Sequence, residues 1–519
     1  MGINQNLILV LIGLVLVNDS SRLVVNGFGT YGFDIHHRYS DKVKGILDID
    51  DNKMLPNMGS VDYYASMAHR DRLFHRRRLA GVEDSLVFLD GNETYQLPSL
   101  GFLHYANVSV GTPSLWFLVA LDTGSDLFWI PCDCRSCVKG LVTRTGRLDF
   151  NIYSPNTSST SQRVPCNSSS CRLRNRCSAR PDICPYQVNY LSSNTSSTGI
   201  LIEDDLHLKT GESPMKDVNA KIKFGCGMIQ TGSFLDGAAP NGLFGLGMEN
   251  LSVPSILASS GLTANSFSMC FSPDGAGRID FGDKGSLDQG ETPFNLDTPH
   301  RTYNISMTQT IVGGNVTNVD FTAIFDTGTS FTYLNDPAYS IIGESIASQT
   351  EESRSQPSSD LPFEYCYDIS PNQNTFEAPS LNLTMKGGDQ FSVTNPFVVV
   401  PLENGRSVFC LGIAKSDNVN IIGQNFMTGY RVVFDREKNI LGWKASDCYN
   451  AIESNTLPIS PQATPSGSPR MSLGPEATSK NGSPNSSPGQ PGNFASALSY
   501  TNFIIVVSIL TNFFMVVLS

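Results

Sequence analysis

The middle of the chain, residues 103–448, alternates short apolar runs with clusters of glycine, proline and asparagine. The runs are rich in β-branched and aromatic residues, as in 106–110 and 117–121. Runs of this length and composition predict strands that are bounded by turns. A helix is predicted over 337–348, because Asp336 can cap it and a proline suits its first turn. The body of the protein is therefore predicted to be mostly β.

The N-terminal end has a different composition from this β-rich body. Residues 7–17 form an apolar run of the length found in signal peptides, so residues 1–27 are predicted to be a signal peptide. Residues 28–80 include the run Arg76-Arg77-Arg78. Such a segment could be a solvated face, a processing site or a propeptide. Charge complementarity with an acidic cleft favours a basic propeptide.

The C-terminal end predicts attachment to a membrane. Residues 454–493 are rich in Ser, Pro, Gly and Asn and are predicted to form an extended linker. Residues 500–519 are strongly apolar, with no Lys or Arg after them. Together with small residues near Asn485 and Ser486, this tail predicts a GPI-attachment signal over 486–519, with attachment at Asn485 or Ser486. A plain membrane span is the alternative.

Composition and charge restrict the class of partner and the cellular compartment. The chain has 519 residues, 40% of them hydrophobic, which is enough to build two lobes with large cores. Its formal net charge of −12 argues against a nucleic-acid partner. The 12 cysteines predict six disulfides in a secretory chain. Zinc is the competing interpretation, but the cysteines form no two Cys-x-x-Cys pairs and no His follows at ligand distance. No metal or cofactor is predicted.

Many Asn-x-Ser/Thr sites support the same compartment, because such sites accept glycans in the secretory pathway. Two lie in the linker, at Asn481 and Asn485. The predicted sites in the body are Asn92, Asn107, Asn156, Asn167, Asn194, Asn250, Asn304, Asn315 and Asn382. The chain is therefore predicted to lie at the cell surface, GPI-anchored on the extracellular side of the plasma membrane.

The chain carries Asp-Thr-Gly twice, and both copies have the same context. The first copy is Leu121-Asp122-Thr123-Gly124-Ser125 and the second is Phe325-Asp326-Thr327-Gly328-Thr329. Each follows an apolar run and precedes a hydroxyl residue. Two unrelated surface turns are the alternative, since Asp and Gly both favour turns. The matching flanks favour a pair of carboxylates that act together.

Two carboxylates a few ångströms apart can activate a water and polarise a carbonyl group without a metal. They cannot both ionise easily, so the pair shares one proton. The ionised member takes a proton from water, and the protonated member polarises the carbonyl oxygen. Gly124 and Gly328 would let the loops approach closely. The backbone N–H groups and the hydroxyls of Ser125 and Thr329 would hydrogen-bond the carboxylates.

These motifs make the chain resemble the pepsin family of aspartic endopeptidases, and within it the plant nepenthesin-like group, including its GPI-anchored members. The resemblance covers about residues 95–450 and the propeptide around 33–40. It implies a mostly β, bilobal fold with a cleft between an N-terminal lobe (95–270) and a C-terminal lobe (271–450). Each lobe would supply one aspartate. The matching stretches are 104–113, 122–129, 224–227, 242–247, 325–329 and 421–426.

The resemblance also implies a β-hairpin flap over the cleft. Tyr190 occupies the position of the flap tyrosine, and Trp129 that of the indole that hydrogen-bonds it. An ordinary strand aromatic is the alternative for Tyr190. Residues 191–194 replace the glycine-containing turn that usually follows this tyrosine. The disulfides that the resemblance implies are Cys137–Cys226, Cys166–Cys184, Cys171–Cys177, Cys270–Cys448 and Cys366–Cys410, with Cys132 and Cys134 left to pair.

The resemblance implies an acid-active endopeptidase that acts on polypeptide substrates as a monomer. The alternative is a catalytically inactive, protease-like binding protein at the cell surface. Relatives of that kind usually have one damaged Asp-Thr-Gly motif, whereas both motifs are intact here. No Gly-x-Ser-x-Gly or His-Glu-x-x-His motif supports another hydrolase chemistry.

Overall fold

The computed structural model of the protein describes residues 30–38, 40–46, 59–75, 104–142, 147–177, 182–190, 195–210, 216–235, 239–272, 275–297, 301–355, 361–369, 375–402, 406–417, 419–448 and 470–472. All of them belong to a compact unit of residues 1–473, and a second unit covers 474–519. Several predicted features lie outside the described residues: the signal peptide, the triple arginine, the sites at Asn92, Asn194 and Asn481, the GPI signal with Asn485 and Ser486, and most of the linker.

Strands dominate the first half of the described chain, as the alternation of apolar runs and turns predicts. They are Tyr31–His37 (β1), His104–Val110 (β2), Leu115–Asp122 (β3), Trp129–Ser136 (β4), Gly140–Val142 (β5), Arg147–Asp149 (β6), Gln162–Arg163 (β7), Pro185–Asn189 (β8), Ser196–Thr210 (β9), Asp217–Thr231 (β10), Leu243–Gly245 (β11), Ser266–Phe271 (β12) and Ala276–Phe281 (β13).

The second half is also strand-rich. Its strands are Gly290–Pro293 (β14), Asn304–Val312 (β15), Asn315–Phe325 (β16), Thr332–Leu334 (β17), Arg354–Ser355 (β18), Cys366–Ile369 (β19), Thr375–Glu377 (β20), Leu381–Met385 (β21), Gln390–Val393 (β22), Phe397–Pro401 (β23), Ser407–Leu411 (β24), Ile413–Lys415 (β25), Ile421–Ile422 (β26), Tyr430–Asp435 (β27), Ile440–Ala445 (β28) and Arg470–Ser472 (β29). The mostly β prediction is confirmed.

Short helices connect or cover these sheets. They are Asp41–Ile46 (α1), Val61–His75 (α2), Val253–Ser259 (α3), Ala338–Ala347 (α4) and Gln424–Met427 (α5). The predicted helix over 337–348 is confirmed as α4. The Asp336 carboxylate, one residue before its N-cap, accepts a hydrogen bond from the Ser340 N–H at 3.3 Å. Among the described residues, no helix combines the length and the apolar character needed to cross a bilayer.

One large sheet has the strand order β14-β28-β27-β12-β13-β1-β2-β3-β11-β4-β10-β9-β7, and β8 pairs with β9. Strand β1, from the predicted propeptide, lies between β13 and β2 and pairs antiparallel with both. A second sheet has the order β22-β21-β15-β16-β26-β17-β25. The N-terminal segment therefore supplies an inner strand of the large sheet. The predicted division between the lobes, at 270/271, falls within β12 and stays a prediction.

Both sheets contain the same three-strand arrangement. Strand β11 is parallel to β3 and antiparallel to β4, and strand β26 is parallel to β16 and antiparallel to β17. A parallel neighbour requires a crossover, so each short strand returns from far along the chain. In each case the pairing covers the end of the strand that leads into an Asp-Thr-Gly loop. The register pairs Gly245 with Asp122 and Ile422 with Phe325.

Two of the disulfides that the resemblance implies are confirmed, Cys270–Cys448 and Cys366–Cys410. Both join distant parts of the chain. Strand pairing accounts for the second, because Cys366 and Cys410 face each other across β19 and β24.

The other four pairings are wrong. The structure joins Cys132–Cys226, Cys134–Cys137, Cys166–Cys177 and Cys171–Cys184, instead of Cys137–Cys226, Cys166–Cys184, Cys171–Cys177 and Cys132–Cys134. Cys132 lies on β4 beside the parallel strand β10, with a Cα–Cα distance of 4.9 Å to Cys226. The next two disulfides join cysteines of similar burial. Cys171 and Cys184 lie in the hydrophobic core, while Cys166 and Cys177 are only half-buried.

The predicted glycosylation sites within the described residues lie at the surface. Asn107, Asn156, Asn167, Asn250 and Asn315 are exposed, and Asn304 and Asn382 are half-buried. Their use by the cell stays a prediction.

Candidate active site

The first Asp-Thr-Gly loop begins at the last residue of β3. Asp122 is 8% exposed. Its Oδ1 accepts a hydrogen bond from the Gly124 N–H at 2.9 Å, and its Oδ2 accepts one from the Ser125 hydroxyl at 2.5 Å. The Leu246 N–H donates to the Asp122 carbonyl oxygen at 2.8 Å. The carboxylate is therefore held by its own loop and by the segment that follows β11.

The second loop repeats these bonds. Asp326 directly follows β16 and is half-buried. Its Oδ1 accepts from the Gly328 N–H at 2.8 Å, and its Oδ2 accepts from the Thr329 hydroxyl at 2.7 Å. The Asp326 N–H donates to the carbonyl oxygen of Ile422, on β26, at 3.1 Å. The predicted supporting roles of Gly124, Ser125, Gly328 and Thr329 match these contacts.

The two loops meet through their threonines. The Thr123 and Thr327 hydroxyl oxygens are 3.3 Å apart, and the Thr327 N–H donates to Thr123 Oγ1 at 3.3 Å. Both threonines are buried. A Cβ on Gly328 would lie 3.0 Å from Asp326 Oδ1 and 3.9 Å from Asp122 Oδ1. Both carboxylates therefore reach the same glycine, and the structure brings the two predicted catalytic residues together.

The carboxylates influence each other electrostatically. Burial raises the pKa of Asp122 from 3.8 to about 6, and the charge of Asp326 contributes to this rise. Hydrogen bonds from Ser125 and Gly124 act in the opposite direction, because they favour the ionised form. A raised pKa means that the site retains a proton at mildly acid pH.

The predicted flap contact is present. Strands β8 and β9 pair as an antiparallel hairpin, and Tyr190 directly follows β8. The Trp129 indole N–H donates to the Tyr190 hydroxyl at 2.8 Å. Burial and the charge of Asp122 raise the pKa of Tyr190 well above its ordinary value. Tyr190 is therefore a neutral hydroxyl close to Asp122. The hairpin tip, 191–194, lies outside the described residues.

Two contributors to the site were not predicted from the sequence. The Phe234 ring packs edge-on against both Trp129 and Tyr190, with centroids 4.8 and 4.9 Å away. The Asp71 carboxylate, from α2, accepts hydrogen bonds from the loop that follows Asp326. No local pattern marks either residue. In the part of the chain that the structure describes, no group of three or more His, Cys, Asp or Glu side chains could hold a metal ion.

Two protein-family models match the chain: the xylanase inhibitor N-terminal family over residues 104–283 and the xylanase inhibitor C-terminal family over residues 303–445. Together they cover more than half of its length. Each contains one of the two Asp-Thr-Gly loops.

Similar proteins are plant aspartic proteases by name. Aspartyl protease family protein 1 of Arabidopsis thaliana is 57% identical over 473 residues, which are 90% of this chain and 91% of that protein. Aspartic proteinase-like protein 1 of the same plant is 39% identical over 444 residues, covering 83% of this chain and 82% of that protein. Aspartic proteinase nepenthesin-1 of Nepenthes gracilis is 25% identical over 439 residues, covering 80% and 93%.

Solved structures show the same fold. The basic 7S globulin from soybean aligns with a TM-score of 0.51 at 21% identity, covering 68% of this chain and 93% of that one. The crystal structure of edgp aligns with a TM-score of 0.53 at 19% identity, covering 69% and 94%. The predicted fold class, a mostly β, bilobal, pepsin-like fold, is confirmed. The chain belongs to the pepsin-like aspartic protease family, among its plant nepenthesin-like members.

Proposed function

We propose that the chain is an aspartic endopeptidase that hydrolyses polypeptides at acid pH, with Asp122 and Asp326 as its catalytic residues. One observation carries this proposal: two carboxylates are supported by equivalent hydrogen bonds and are joined through Thr123 and Thr327. A catalytically inactive relative would have no need for two carboxylates that are supported in the same way.

The chemistry follows from the shared proton. The ionised carboxylate accepts a proton from a water molecule between the pair, and the resulting hydroxyl attacks the peptide carbonyl carbon. The protonated carboxylate donates to the carbonyl oxygen as negative charge develops there. Transfer of a proton to the amide nitrogen then releases the new amine. The raised pKa of Asp122 fits this scheme, because a pair that keeps one proton up to about pH 6 works in acid solution.

The test is hydrolysis of an unfolded protein substrate by the full chain, measured from pH 2 to pH 8. Asp122→Asn and Asp326→Asn should each reduce the rate at least about 100-fold, because each removes one member of the acid–base pair. Asp217→Asn, at an exposed position, serves as the matched control. Rates that are unchanged in both active-site variants would refute the proposal.

A protease-like binding protein is the second candidate, and the names of the matching family models favour it. On that hypothesis the chain would bind a glycoside hydrolase such as a xylanase and would cleave nothing. Pull-down of purified xylanase by the full chain, with and without Asp122→Asn, separates the two candidates. Binding that is unaffected by the substitution, with no hydrolysis at any pH, supports the second candidate.

We also propose that the protein travels through the secretory pathway to the extracellular face of the plasma membrane, where a GPI anchor at Asn485 or Ser486 holds it. The six disulfides, which use all 12 cysteines, support an oxidising compartment. Treatment of cells with a phosphatidylinositol-specific phospholipase C should release the protein. Retention after that treatment favours a plain membrane span.

A further inference from the structure

Helix α2, from the predicted propeptide, packs on the C-terminal half of the molecule. Tyr63, Met67 and Ala68 are buried in one hydrophobic cluster with Phe331 and Tyr333. The Tyr64 ring lies 6.3 Å from the Phe331 ring, centroid to centroid. Phe331 and Tyr333 follow the second catalytic loop closely in sequence. The helix therefore covers the chain segment that continues directly from Asp326.

A carboxylate lies at the centre of this contact. Asp71 is fully buried. Its two oxygens accept the Ser330 N–H, each at 3.0 Å, and Oδ1 also accepts the Ser330 hydroxyl at 2.9 Å. Oδ2 accepts the Phe331 N–H at 3.0 Å and the Tyr333 hydroxyl at 3.3 Å. Two consecutive backbone N–H groups and two hydroxyls thus converge on one carboxylate, an arrangement that binds anions in other proteins.

The loop that follows Asp326 is held so that these donors face α2. The carbonyl oxygens of Thr329 and Ser330 accept the backbone N–H groups of Gln424 and Asn425, at 2.8 and 3.0 Å. The carbonyl side of the loop is therefore fixed within the C-terminal half, and the N–H side faces the helix. The Thr329 hydroxyl, one residue earlier, holds Asp326. The donors consequently lie immediately beside the support of a catalytic carboxylate.

We propose that the Ser330 and Phe331 N–H groups, with the Ser330 and Tyr333 hydroxyls, form a carboxylate-binding site. Asp71 fills this site in the intact chain, and an acidic side chain of a bound polypeptide fills it when α2 is displaced. That the polypeptide is a substrate rests on the proposed function. Backbone N–H groups that are buried without an acceptor cost free energy, so the site selects a ligand that supplies acceptor oxygens.

The surroundings define the ligand further. Met67 and Ala68 lie four and three residues before Asp71, respectively, on the face of α2 that packs against Phe331 and Tyr333. The site therefore suits an acidic residue that is accompanied by apolar side chains. An acidic ligand and α2 use the same donors and exclude each other.

The first experiment measures occupation of the site in the full chain. Asp71→Ala should speed amide hydrogen exchange at Ser330 and Phe331 at least about 10-fold, because both N–H groups lose their acceptor. Asp62→Ala, an exposed residue of the same helix, is the matched control and should leave exchange unchanged. Sodium acetate should slow exchange in Asp71→Ala, whereas sodium chloride at equal ionic strength should not. Unchanged exchange in Asp71→Ala, or equal effects of the two salts, would overturn the site.

The second experiment measures the ligand without catalysis. A fluorescent peptide with the sequence of residues 63–71, and the same peptide with Asn in place of its aspartate, are titrated into the full-length Asp71→Ala, Asp122→Asn double variant. Fluorescence anisotropy should show at least about 10-fold tighter binding of the acidic peptide. Adding Tyr333→Phe, which removes one donor, should reduce this ratio. Equal affinities, or no binding of either peptide, would overturn the ligand assignment.

The two experiments separate this inference from the proposed function. If the chain hydrolyses no substrate but still binds the acidic peptide more tightly, the proposed endopeptidase function is refuted and the carboxylate-binding site is supported. If the chain hydrolyses protein substrates but binds both peptides with equal affinity, the proposed endopeptidase function is supported and the carboxylate-binding site is refuted.

Discussion

The two Asp-Thr-Gly loops are built alike but have different surroundings. Each aspartate accepts one glycine N–H and one hydroxyl, and each loop is backed by a short strand that returns from elsewhere in the chain. Around Asp122 lie the predicted flap residues Tyr190 and Trp129. Beside Asp326 lie the donors that Asp71 occupies. Equivalent hydrogen bonds therefore do not make the two loops equivalent, because burial raises the pKa of Asp122 and because different side chains surround each aspartate.

The largest expected difference between the loops concerns stability at neutral pH. The pKa of Asp122 in the folded protein is about 6, above its ordinary value of 3.8. The folded state therefore binds more protons than the unfolded state between these values, and stability falls as pH rises through this range. Two pKa units correspond to on the order of 3 kcal/mol of unfolding free energy. Asp122→Asn cannot ionise and should recover about that amount at pH 8, with no gain at pH 3.

Urea unfolding of the full chain at the two pH values measures this effect. The Asp217→Asn variant, at an exposed position, should show no comparable pH-dependent gain. If Asp122→Asn gave the same change in stability at both pH values, the burial of an ionisable carboxyl would not be what distinguishes the first loop.

Much of this comparison was available from the sequence, because it depends on local patterns. The paired Asp-Thr-Gly motifs with their flanks identified both carboxylates and their supporting residues. The strand signals were strong, and Asp336 with the following proline marked α4. Cys270–Cys448 and Cys366–Cys410 were implied correctly by the family resemblance.

Features that depend on tertiary packing could not be predicted from the sequence. The cysteines between 132 and 184 are so closely spaced that their sequence separations are compatible with several disulfide pairings. Burial and the pairing of neighbouring strands determine which of these form. Asp71 lies among basic residues of the predicted propeptide, and no local pattern distinguishes its carboxylate. Its partners are more than 250 residues away, so no periodicity or spacing could reveal the contact.

Substitutions of the two threonines that join the loops should lower the free energy of unfolding by different amounts. Thr123 Oγ1 accepts a hydrogen bond from the buried Thr327 N–H. Among the residues that the structure describes, the Thr327 hydroxyl has a hydrogen bond only with the Thr123 hydroxyl. Thr123→Val therefore leaves a buried N–H without an acceptor and should cost about 2 kcal/mol of unfolding free energy. Thr327→Val removes one hydroxyl–hydroxyl bond and should cost about 1 kcal/mol. Equal costs in urea unfolding of the two variants would show that the N–H bond is not the stronger part of the link.

The smallest expected effect concerns the pH limit of hydrolysis and tests the Ser125 bond alone. The Ser125 hydroxyl donates to Asp122 Oδ2 at 2.5 Å and favours the ionised form, so it lowers a pKa that burial raises. Ser125→Ala should let that pKa rise further. The upper pH limit of hydrolysis should then move to higher pH, by less than about one unit. Ser125→Thr keeps the hydroxyl and should retain the wild-type profile. A shift to lower pH in Ser125→Ala would mean that this bond favours the protonated carboxyl, and the first loop would then differ from the second in its hydrogen bonding as well as in its surroundings.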